Sequence, residues 1–131
     1  MDVPEHYKNA VIPHIMVGDA AAAIDFYRRA FGASELFRLD GGTGRIVHAE
    51  ISVAGSTLML GDPEPPFAPP GATTPVALHV YVPDVDALTE RAVAAGAELL
   101  AAPADMPYGA RQSMLRDPFA HIWIFLTPLD A

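Results

Sequence analysis

Ile12-Pro13-His14-Ile15-Met16-Val17-Gly18-Asp19 recurs 65 residues later as Ala77-Leu78-His79-Val80-Tyr81-Val82-Pro83-Asp84. His, Val and Asp coincide and the apolar positions mostly match, so the chain reads as a duplication. Beyond each Asp, DAAAAIDFYRRAFGASEL lies over DVDALTERAVAAGAELL with one residue deleted. Both halves run strand, Asp, amphipathic helix, Gly-Ala, acidic residue, Leu. Asp19 is placed to cap the first helix, and Ala20, Ala23, Ile24, Tyr27 and Phe31 form its apolar stripe. Gly32 is its stop, and Asp25, Arg28 and Arg29 take the wet face. In the second helix Asp84 is the cap, Val85, Leu88, Ala92 and Ala95 keep the spacing, and Gly96 ends it.

Strand-like segments follow each helix. SELFRL, then RIVHAEISV, a turn at Ala54-Gly55-Ser56 and TLML read as a strand and a hairpin, and AELLAA, RQSMLRD and HIWIFLT hold the same stations in the second half. The stretch DPEPPFAPPGATTP, residues 62 to 75, lacks periodicity and is an extended connection, because proline fixes φ and removes a donor. The predicted fold class is α+β. Two tandem βαβββ modules, at about 10–62 and 76–128 with a linker at about 63–75, form a curved mixed sheet with a central cleft and outer helices. The whole chain, 1–131, reads as one domain.

Alternation assigns the strand faces. Val11, Pro13, Ile15 and Val17 share one side of the first strand; Val76, Leu78, Val80 and Val82 share one side of its counterpart. Val47, Ala49, Ile51 and Val53 do so in the strand opening the hairpin. Each apolar side suits a helix. The other sides carry His14, His48, Glu50 and His79, which line a shared concavity if the modules curve together. Such a mixed cleft is the usual form of a small-molecule site. Read singly, each His is equally a solvated or locally bonded strand residue.

Composition narrows the partners. The 131 residues are 51% hydrophobic, enough for a core, and carry a formal charge of −8 with a sequence pI near 4.8. Phosphate backbones and anionic lipids are therefore poor partners, so no nucleic acid and no membrane are expected. Cysteine is absent, which removes disulfides and thiolate metal sites. Neither a long apolar run nor a basic, apolar leader is visible, so a cytoplasmic location is expected.

The paired modules, the helix DFYRRAFGA, the MLGD strand end and the closing LRDPFAHIW together resemble the vicinal oxygen chelate superfamily, which includes glyoxalase I, bleomycin-resistance proteins and extradiol dioxygenases. IVHAEISVAGSTLMLGD, YVPDVDALTERAVAAGAELL and PYGARQSMLRDPFAHIW are similar to its phosphonate-operon-associated, glyoxalase-like branch. In metal-dependent members, the resemblance implies, His or Glu ligands on the first and fourth strands of each module converge on a divalent cation. Carried across one at a time, those positions are Ile12, Met59, Ala77 and Ile124. None suits a hard cation, so no metal and no cofactor are expected. His14 and His79 each stand two residues farther along, about 6.5 to 7 Å along the same face. With Glu50 or His48 they offer a displaced site suited to Zn, or else they are pocket residues that hydrogen-bond a ligand.

Tyr108-Gly109-Ala110-Arg111 occupies a loop where the branch carries Tyr-Gly-acidic-Arg, and Arg111 reads either as an anion clamp or as a solvated strand start. His121 and Trp123 fall on the helix-packed side, which makes Trp123 a core residue. Phe67 in the connection could cover a pocket mouth or a partner. The expected function is binding of a small organic ligand in a cleft lined by His14, His48, Glu50, His79, Tyr81, Tyr108 and Arg111. The alternatives are a lyase, isomerase or dioxygenase using His14, His79 and Glu50 with a metal, Glu50 or His48 acting directly as a base, or a partner-binding domain with a vestigial pocket. A homodimer is expected from the resemblance.

Overall fold

Asp19 turns the chain from strand to helix: its carboxylate accepts the Ala22 amide at 3.1 Å, and Gly32 closes the helix in the left-handed region at φ 70°. The second half repeats this, with Asp84 accepting the Ala87 amide at 3.1 Å and Gly96 at φ 120°. The computed structural model describes residues 2–42 and 44–130. After a short 3-10 turn at Glu5–Tyr7, the described residues form β1 (His14–Met16), α1 (Ala20–Phe31), β2 (Ser34–Asp40), β3 (Ile46–Val53) and β4 (Ser56–Gly61). Then come β5 (Ala77–Tyr81), α2 (Val85–Ala95), β6 (Glu98–Asp105), β7 (Ala110–Arg116) and β8 (Ile122–Pro128). Each module is the expected βαβββ.

The strands form two four-stranded mixed sheets, ordered β1-β4-β3-β2 and β5-β8-β7-β6, open rather than closed into a barrel. β1 runs parallel to β4 with His14 beside Met59, and β5 runs parallel to β8 with His79 beside Ile124. The repeat thus extends to register. It also extends to a second cap that the sequence pattern did not disclose. Asp62, just past β4, accepts the Ala20 amide through one oxygen and the Ile46 amide through the other, at 2.9 and 2.7 Å. Its counterpart Thr127 accepts the Val85 amide at 2.8 Å and donates to the Val82 carbonyl. Each helix N-terminus therefore has two of its orphan amides satisfied, one from the strand before it and one from the strand beside it.

The helices and the helix-facing sides of both sheets share one core. The predicted stripe of α1 is buried, and Phe26 and Ala30 widen it. In α2, Val85 and Ala92 are buried with Thr89, while Leu88 and Ala95 are partly covered. Tyr27 and Phe31 of α1 reach Trp123 and Phe125 of β8, with Phe31 and Trp123 centroids 4.7 Å apart. Trp123 is a core residue, as its strand face implied. Beside it Asp117, also buried, accepts the Tyr27 hydroxyl at 2.5 Å and the Trp123 indole N–H at 2.8 Å on one oxygen. The other oxygen accepts the Phe119 and His121 amides. Burial, followed by the charge of Asp117, holds the Tyr27 phenol well above its ordinary pKa. His121 lies on the helix side and its Nε2 bonds the Met16 carbonyl at 2.7 Å, tying the two modules together.

The strand faces depart from strict alternation at three places. Val11, 98% exposed, and Pro13, also exposed, precede β1, which begins only at His14, and Val76 is exposed because β5 begins at Ala77. At the start of β3 the roles invert, with Ile46 buried and Val47 exposed. The ladder with β2 is irregular there, between Leu39 and Asp40, so simple alternation does not carry through.

Candidate functional site

Side chains of β3 that face away from α1 share that face with their partners on β4, β1 and β2. Cross-strand register sets His14, Met59, Glu50 and Phe37 in one row, with Leu39 beside His48 in the next. His48 Nε2 and Glu50 Oε2 are 2.9 Å apart, and the His14 and His48 rings meet edge to face with centroids 5.3 Å apart. Phe37 flanks His48 at 6.3 Å.

A fourth member comes from outside the repeat. Tyr7, in the 3-10 turn before β1, donates its hydroxyl to Glu50 Oε1 at 2.6 Å. This bond holds the Glu50 carboxyl below the usual carboxylate range, with burial opposing it and His48 adding to it. The same carboxylate pushes the Tyr7 phenol up. Burial, and then the neighbouring His48, holds the His14 imidazole below the ordinary histidine value. The first module thus carries a phenol, a carboxylate and two imidazoles on one face.

The remaining expected site residues lie elsewhere. His79 and Tyr81 line a groove of about 680 Å³ at the seam between the sheets, walled by the N-terminal arm with His6 and Tyr7, by the β3–β4 turn and by β5. His79 is not gathered with His14 and Glu50 into a metal-sized cluster; among the described residues no group of three His, Cys, Asp or Glu is arranged to hold a metal. Met59 and Ile124, two positions the resemblance assigned to ligands, are a thioether and an alkyl group set beside the two imidazoles, and Ile12 and Ala77 are apolar as well. This donor set does not fit a hard divalent cation.

Arg111 is already engaged. It donates two guanidinium nitrogens to Asp86 at 2.7 and 3.0 Å and a third to Asp105 at 3.0 Å. Those carboxylates push its pKa up, and they draw it toward the first turn of α2 rather than the opposite face. Tyr108 is exposed and donates its hydroxyl to Gln112. Phe67 is exposed in the connection between modules.

The chain is 41% identical over 127 residues to an uncharacterised protein of Mycobacterium bovis, spanning 92% of this chain and 84% of that one. Among solved structures, TioX from Micromonospora sp. ML1 superimposes with a TM-score of 0.74 at 30% identity, covering 94% of this chain and 98% of that one. A glyoxalase-related enzyme from Fulvimarina pelagi gives 0.74 at 25% identity, over 92% of this chain and 88% of that one. The profile of the Glyoxalase/Bleomycin resistance protein/Dioxygenase superfamily matches residues 6–125. Duplicated module, shared register and this match agree: the chain belongs to the glyoxalase/bleomycin resistance protein/dioxygenase superfamily.

Proposed function

We propose that the protein binds a small organic molecule on the face of the β1-β4-β3-β2 sheet that looks away from α1, without the family's usual metal, and that it does so as a homodimer. One observation carries this reading: Tyr7, Glu50, His48 and His14 converge on a face flanked by the half-exposed apolar side chains Phe37 and Leu39. A few convergent polar groups set in apolar surface orient a ligand while its body gains contact area. The apolar residues at Ile12, Met59, Ala77 and Ile124 support a site that works without a cation. Exposed apolar side chains on β2 and β6, including Leu36, Leu99 and Leu100, support contact with a second copy.

A thermal-shift screen of an organic fragment library tests this, run on untagged protein after EDTA dialysis and again after dialysis with Zn, Ni, Mn or Fe. Ligands that stabilise the metal-free protein by mass action are expected, with metal retained well below one equivalent. Stoichiometric metal that disappears in both His14→Ala and His79→Ala would overturn the metal-free reading. A library that shifts nothing would overturn ligand binding itself.

A further inference from the structure

Both oxygens of Glu50 are committed, one to the Tyr7 hydroxyl and the other to His48 Nε2. The carboxylate therefore orients a neighbour through each of its oxygens. A carboxylate oxygen only accepts, so His48 Nε2 carries the proton of this bond, and in the neutral ring the acceptor lone pair is on Nδ1. Tyr7 in turn fixes the carboxylate. Glu50 and Tyr7 are positioning residues, and His48 is the group left to meet a ligand. His14 meets the His48 ring edge to face, with centroids 5.3 Å apart, and so sets a second imidazole beside it.

Among the described residues the face carries no permanent positive charge to receive an anion. Arg38, the arginine of β2, is paired in register with buried Ala49, so it belongs to the opposite face, where Glu35 binds it. Lys8, next to Tyr7, is paired with Glu5 at 2.8 Å. The Glu50 carboxylate and a formal charge of −8 both disfavour a ligand arriving as an anion. Half-exposed Phe37 and Leu39 flank the imidazole pair with apolar surface. A neutral molecule with a flat apolar body and a hydrogen-bond donor matches these demands.

We infer that this face selects neutral, weakly acidic hydroxyl compounds on an aromatic or conjugated body, phenols and enols, and that His48 accepts their proton. The inference rests on the binding reading above and names its ligand class. In the transfer the ligand O–H bond breaks, the proton bonds to His48 Nδ1, and the electron pair stays on the ligand oxygen. The imidazolium then lies between the Glu50 carboxylate and the ligand oxyanion, and the His14 N–H donates to that oxyanion. No further reactant is consumed, and dissociation returns the proton.

Two probes that differ only at the hydroxyl test this: 4-nitrophenol, whose phenolate has its own visible absorption band, and 4-nitroanisole, its methyl ether. Each is titrated into the full EDTA-treated chain at a pH where free 4-nitrophenol is mostly protonated, with saturation-transfer NMR reporting binding and absorbance reporting ionisation. Expected are at least tenfold tighter binding of 4-nitrophenol and growth of the phenolate band on binding. In His48→Phe the band is lost while circular dichroism and 4-nitroanisole binding persist; in Glu50→Gln the band is weakened. Equal binding of both probes with no phenolate band, or a band that survives in His48→Phe and His48→Gln, would overturn the acid-selective site and leave the binding reading standing. No saturation transfer to either probe would overturn both.

Discussion

At the scale of single residues, Asp117 shows how much one buried carboxylate can organise. Its two oxygens take four donors, two of them the Tyr27 hydroxyl and the Trp123 indole. Asp117→Ala strands both side-chain donors in the core, and a loss of about 3 kcal/mol or more in urea unfolding is expected. His14 and Glu50 make stability depend on pH in the same direction. Above the unfolded histidine value His14 is neutral in both states. As pH falls below about 6.5 the unfolded chain binds a proton that the folded imidazole resists, so stability drops. Below about 4.5 the unfolded chain likewise protonates before the depressed Glu50, removing the stability its bonds supply above that range. Denaturant midpoints are expected to fall from pH 7 to 5, with a visibly shallower fall in His14→Gln. In Tyr7→Phe the loss between pH 5 and 3 should be shallower, because Glu50 then lies closer to its unfolded value.

At the scale of elements, helix positions and the βαβββ succession were legible because the 65-residue offset placed Asp over Asp and Gly near Gly, and backbone geometry allows few other residues at those points. Strand faces were legible in β1, β3 and β8 wherever the ladder is regular. They were not legible at Ile46 and Val47, where pairing with β2 slips, nor at Val11 and Val76, which precede their strands. The fourth-strand ends hold a constraint invisible to periodicity. A Cβ on Gly61 would stand 2.7 Å from the Val47 carbonyl oxygen, so the approach of β4 to β3 requires glycine there. Gly61→Ala is expected to cost about 1–3 kcal/mol through backbone displacement, read as a lowered urea midpoint with unchanged circular dichroism. Asp62→Ala removes the acceptor for both Ala20 and Ile46 amides, and a loss of about 1–2 kcal/mol is expected by the same measurement.

At the scale of the whole molecule, the two modules match in topology and register but differ in chemistry. Where the first sheet sets His14, Met59 and Glu50 in a row, the second sets His79, Ile124 and Met114. Glu50 and His48 were readable as polar residues on an otherwise apolar strand. Tyr7 was not readable, because it lies 43 residues from Glu50 and outside the repeat, and only the folded arm brings it there. The same holds for Arg111, whose carboxylate partners come from α2 and the end of β6. The proposed contact through apolar side chains exposed on β2 and β6 predicts a dimeric mass in light scattering at about tens of micromolar, and a monomer there would count against it. The most direct test of a metal-free site on the first module is histidine-ring NMR of the EDTA-treated chain, titrated with the ligands found by thermal shift. The His14 and His48 ring signals should shift and saturate together while His121, bonded to the Met16 carbonyl, stays fixed. Shifts confined to His6 and His79 in the seam groove, or binding that appears only with stoichiometric metal, would contradict it.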